Sequence, residues 1–116
     1  MISASFIKEE SGAIRVKISG HATYKENGQL TVCAAVSAIF YSLLGYLKNR
    51  HADTLTVRSL ESGNADIECM GCDSEIFRMA CIGILQISEA YPGQISVKTN
   101  IWRSKLCKRY RAERKA

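Results

Sequence analysis

Two side chains able to do covalent chemistry stand twelve positions apart in SGHATYKENGQLTVCAAVSAIF: His21 and Cys33. A thiol becomes a nucleophile as its thiolate, which a helix N-terminus, a cationic neighbour or an imidazole can favour. A histidine within reach then takes the thiol proton as general base and returns it to a leaving amine as general acid. Ser37, four residues after Cys33, shares its face if the segment is helical. Spacing alone leaves a plainer reading open. A cysteine at the start of an apolar helix is ordinarily a small hydrophobe, and a histidine before a loop is ordinarily a surface or capping residue.

The remaining candidates are weaker. Cys69-Met70-Gly71-Cys72 has the C-x-x-C spacing of zinc and redox sites. Cys81, Cys107 and His51 offer no second close pair for a metal, and the surrounding pattern is not a βαβ unit, so reduced thiols are expected there. His51 follows a helix end rich in Lys and Arg and is expected to be a capping or surface residue. No metal or cofactor is expected.

The elements that must hold His21 and Cys33 follow from periodicity. Ile2, Ala4 and Phe6 alternate, then Ile14, Val16 and Ile18, which predicts a hairpin across EESG. A polar loop is expected over ATYKENGQL. Thr31 then serves as N-cap of a helix to about Arg50, which puts Cys33 in its first turn with its N–H free as an oxyanion donor. Leu55 and Val57, then Ala65, Ile67 and Cys69, predict two strands about the turn ESGN. Asp73 or Ser74 caps a second helix to about Ala90, stopped by Pro92-Gly93, and Ile95 with Val97 closes the chain's last strand. The order ββαββαβ predicts an α+β fold, a two-layer sandwich with a five-stranded mixed sheet and two helices.

At 116 residues and 47% hydrophobic composition, one folded domain is expected. The most apolar run, Val32 to Leu47, is shorter than a span and reads as a buried helix, so no membrane is expected. No secretory pattern opens the chain, and five cysteines cannot complete a disulfide framework, so a cytoplasmic protein is expected. Charge divides the chain: residues 1–99 hold nine Lys/Arg against ten Asp/Glu, and residues 100–116 hold seven against one. The boundary separates a near-neutral domain from a basic tail with Trp102, Leu106 and Tyr110 interleaved, which can dock on the body, hold RNA phosphates or steer an acidic partner, the plainer reading being a solvated end. The first helix is apolar almost all round, more than one sheet face uses, so the second helix and a second subunit are both expected to cover the remainder.

Gly20-His21-Ala22, a glycine-containing loop, and Val32-Cys33-Ala34-Ala35-Val36-Ser37-Ala38 resemble the signature of the ribosomal-processing cysteine protease family, Prp. The likeness extends to the order of elements over residues 1 to about 99. It implies a homodimeric cysteine endopeptidase with His21 and Cys33 as dyad, and Gly20, Thr31 and Ser37 in support. Ala22, Tyr24, Asn27, Gly28 and Leu30 would lie on a loop over an extended peptide. The implied substrate is the N-terminal extension of a large-subunit ribosomal protein, cut after bulky apolar residues, or, for related members, a phage structural protein. Two features depart from the pattern. Leu30 and Thr31 stand where the family has Asp-Ile before Val-Cys, and the basic tail runs past the last strand. A non-catalytic adaptor that binds RNA or a particle surface on the same fold is the alternative that Leu30 favours.

Overall fold

The computed structural model of the protein describes residues 1–21 and 27–101, with the backbone alone for residues 27–30. Strands β1 (Ile2–Lys8) and β2 (Ile14–Ser19) form a hairpin, followed by helix α1 (Asn27–Arg50). A second hairpin, β3 (Leu55–Glu61) and β4 (Asn64–Cys69), leads to helix α2 (Ser74–Ala90) and strand β5 (Ile95–Thr99). The sheet order is β3-β4-β2-β1-β5, antiparallel except for the parallel pair β1/β5. This is the α+β class and the ββαββαβ order that the periodicity predicts.

Alternation in the strands decides which sheet face is covered. Ile2, Ala4, Phe6, Ile14, Val16, Ile67, Cys69 and Ile95 are buried, while Ser3, Lys17 and Ser96 between them are exposed. Against the apolar face α1 lays Val32, Val36, Phe40, Leu43, Leu44 and Leu47, the recurrence of a helix with one buried stripe. Phe77, Ala80, Cys81, Ile84 and Leu85 do the same from α2. Burial of each large apolar side chain contributes about 1.5–3 kcal/mol. By length and composition Thr31–Arg50 would also suffice to cross a bilayer, but this buried stripe is committed to the sheet.

The termini of α2 match their signals. The Asp73 carboxylate accepts from the Glu75 N–H at 2.9 Å, and the chain leaves the helix at Tyr91, just before Pro92-Gly93. The start of α1 does not match. The helix begins at Asn27 rather than after Thr31, so Asn27, Gly28 and Leu30 belong to it and Thr31 is interior. The physical reason is propagation: Gly28 costs about 1 kcal/mol in a helix, less than stopping one that Gln29, Leu30 and Val32 extend. Ala22 and Tyr24 of the expected loop lie outside the described residues, as does the tail from residue 102. Asn100 still packs with the body, its side chain bonding both the N–H and the carbonyl of Lys8, and Ile101 is buried.

A second correction concerns the C-x-x-C. Cys69 and Cys72 are joined as a disulfide instead of standing as separate thiols, their Cα atoms 6.4 Å apart and within bridging range. The turn at Gly71 folds Cys72 back toward the end of β4, which spacing alone does not specify. Among the described residues no three His, Cys, Asp or Glu side chains gather as metal ligands. At the far end of α1 the His51 N–H donates to the Leu47 carbonyl at 2.7 Å, closing the helix.

On the open face of the sheet, Arg15 grips Asp66 with two hydrogen bonds, Nε to Oδ1 at 2.9 Å and Nη2 to Oδ2 at 2.6 Å. The hydrogen bond from Arg15 holds the Asp66 carboxyl below its ordinary pKa, against the opposing effect of burial. A carboxyl with a depressed folded pKa adds stability above its unfolded pKa, near 4, and loses that contribution as pH falls through the folded value. Asp66→Asn is therefore expected to lower Tm by a few degrees at pH 7. The gap between the two proteins should close below about pH 4 in melts followed by circular dichroism.

Candidate active site

The site lies where three chain segments meet at one end of the sheet. Strand β2 ends at Ser19, and Gly20 turns the chain out of it with φ +89°. A side chain at position 20 would collide with the backbone just ahead of β1, because an added Cβ would meet the Met1 carbonyl oxygen. Only glycine meets both demands. Its N–H donates to the Gly63 carbonyl at 2.9 Å, which ties the end of β2 to the turn of the β3–β4 hairpin. His21 follows directly, exposed, with its ring against Gly63.

From the helix side come Cys33 and Ser37, one turn apart. Cys33 is half-buried and Ser37 exposed. Together with Gly20 and His21 they line a single cleft of about 240 Å³. Its apolar wall is Ile2, Ile18, Val36, Phe40, Leu60 and Ala65, and its rim includes Tyr41, Glu61 and Asn64. The cleft therefore offers a thiol, an imidazole and a hydroxyl beside an apolar surface fit for a peptide side chain. Of the residues expected to act, His21, Cys33, Gly20 and Ser37 share this space. Thr31 is exposed on α1 and does not line it.

The earlier helix start changes the chemistry available to Cys33. As the seventh residue of α1, Cys33 stands nearly two turns from the helix start, beyond the first turn over which a macrodipole acts strongly. Its amide belongs to the i to i−4 ladder, so it is not the free oxyanion donor expected from a helix beginning at Thr31. The hydroxyls of Ser37 and Tyr41 are side-chain donors that α1 brings to the cleft. Nothing in the sequence marks Glu61, Gly63 or Asn64 as part of this site. They lie forty residues from His21, and only the pairing of β4 with β2 carries them there. The one available signal is the register itself, since Ser19 faces Asn64.

Accessibility orders the cysteines among the described residues. Cys33 is half-buried and unpaired, Cys81 is buried, and Cys69 and Cys72 are joined. Iodoacetamide at neutral pH is expected to modify Cys33 well before Cys81 in the native protein, with the two converging in denaturant. Peptide mass mapping over time reads the difference, and faster labelling of Cys81 would contradict this geometry.

Comparison with known proteins gives a consistent picture. The family model described as cysteine protease Prp matches residues 1–96. A crystal structure of an essential ribosomal processing protease Prp from S. aureus, in complex with a covalently linked product peptide, is similar in fold. It has a TM-score of 0.71 and 20% identity, covering 86% of this chain and 100% of that one. The same S. aureus protease with a substrate peptide gives a TM-score of 0.69 at 19% identity, over 86% and 100% of the two chains. SMU.848 from Streptococcus mutans gives 0.64 at 27% identity, over 85% and 93%. Among curated proteins no match was found.

Proposed function

Since the chain belongs to the cysteine protease Prp family and is a cysteine protease, we propose that Cys33 is its nucleophile and His21 its general base and acid. The observation that carries this reading is the shared cleft: it holds the only described cysteine that is neither buried nor bonded, beside one of the two histidines. In the first step the Cys33 proton passes to the His21 imidazole as the sulfur attacks the peptide carbonyl carbon. The tetrahedral intermediate collapses when the imidazolium protonates the leaving amine, which leaves a thioester on Cys33. Water, deprotonated by His21, then attacks the thioester and releases the acid. Ser37 donates its hydroxyl toward the developing oxyanion.

The substrate we propose is the N-terminal extension of a large-subunit ribosomal protein. The solved S. aureus relatives are ribosomal processing proteases, and the apolar wall formed by Ile2, Ile18, Val36 and Phe40 suits a bulky apolar residue before the cut. Such a substrate places the protein in the cytoplasm, and the basic residues of the tail suit contact with ribosomal RNA. Peptides with an aromatic residue before a small one are expected to be cleaved by the wild type. Cys33→Ala should lose all measurable turnover, and His21→Ala should lose at least about 10²-fold in kcat/KM. Cleavage retained by Cys33→Ala would remove it as nucleophile.

We also propose a homodimer that covers the outer side of α1 and α2. Between the helices runs an apolar groove of about 390 Å³ lined by Ala38, Ile39, Leu43, Ile76 and Met79, with Met79 64% exposed. Leu43 and Leu47 are themselves in the core, so charging them would unfold the chain and report nothing about association. Met79→Glu is the informative change. It is expected to lower the mass in light scattering to that of a monomer while leaving the circular dichroism spectrum unchanged.

A further inference from the structure

The β3–β4 turn, Glu61 to Asn64, supplies a wall of the cleft, and its glycine has an unusual relation to the histidine. A Cβ added at Gly63 would lie 2.5 Å from His21 Nε2, 3.0 Å from Cε1 and 3.3 Å from Cδ2. One edge and the tip of the imidazole therefore rest against the Gly63 α-carbon, in the space any other residue would fill. The same glycine accepts the Gly20 N–H at 2.9 Å, so the residue before the histidine and the ring of the histidine both register on one turn. Gly63 also has φ +77°, which most side chains disfavour.

We propose that Gly63 is a positioning residue for His21: the hairpin turn seats the imidazole and so sets its direction toward Cys33. The proposal rests on His21 being the base. A base whose seat is firm needs no carboxylate partner to orient it, which gives a physical role to the turn in a chain with Leu30 before its cysteine. Alanine at position 63 must displace the ring by about 1 Å to reach ordinary contact distance, and a misplacement of that size costs roughly 10²-fold in rate. Because the atoms in the way are the free end of a side chain, the fold itself can accommodate the change.

The test separates seating from backbone strain by a matched control. Gly93 has φ +81°, no atom within 4 Å of an added Cβ, and no part in the cleft. Gly63→Ala and Gly93→Ala should therefore lower Tm alike. Gly63→Ala alone should lower kcat about 10²-fold with KM little changed. It should also flatten the imidazole-dependent limb of the pH–rate profile and slow the alkylation of Cys33. Equal activity of the two variants would overturn the proposal. Should Gly63→Ala fail to fold, nuclear Overhauser contacts between the Gly63 α-protons and the His21 ring in the wild type decide it: their presence supports the seat and their absence overturns it. His21→Ala distinguishes the two levels of the claim. If it cleaves as fast as wild type, the dyad reading falls and takes the seat with it. If it is inactive while Gly63→Ala is not, the dyad stands and only the seat falls.

Discussion

Contact between one face of the sheet and the inner stripe of α1 fixes every other position in this protein. Val16 and Ile67, on adjacent strands, are fully buried, and Val32 and Leu47 meet the same layer from near the two ends of the helix stripe. Once that layer is dry, α1 can neither rotate nor slide without exposing Leu or Phe side chains, at a cost of kilocalories for each. Cys33 and Ser37 sit on the edge of the buried stripe, so their direction is set by packing rather than by any interaction of their own. The position of Cys33 is a by-product of the core.

His21 is held by a different kind of force. It lies just past the last ladder position of β2, on a segment that the apolar core does not grip, and backbone contacts take over there. The glycines before it and across from it each adopt a conformation and a closeness that side chains disallow. The two halves of the site thus have different stiffness. The sulfur rides on a helix with one buried stripe, and the imidazole follows a strand end tied to the Gly63 turn by the Gly20 N–H and rests its ring on that turn.

Much of this was legible in the sequence. Alternation in Ile2–Phe6, Ile14–Ile18 and Ala65–Cys69 marked the strands, because a sheet covered on one side imposes a period of two. Asp73 and Pro92-Gly93 marked α2, because caps act locally. The start of α1 was not legible, since Asn27-Gly28 has the local chemistry of a turn and only cooperative extension of the helix outweighs it. The hairpin wall of the cleft was invisible for a related reason. Glu61, Gly63 and Asn64 become neighbours of His21 through strand pairing at long range, which leaves no trace in local spacing. The bond between Cys69 and Cys72 depends on how one turn folds, and spacing does not carry that.

The close fit of Gly20 against Met1 has a consequence for how the protein can be handled. Ile2 lines the cleft, and the Met1 carbonyl fills the space where a side chain at position 20 would stand. The first residues are thus part of the floor beside the imidazole. Anything fused ahead of Met1, such as a purification tag or a fluorescent reporter, leaves the sheet at the lip of the cleft. There a flexible fused segment would reach the cleft as an intramolecular competitor of incoming peptide.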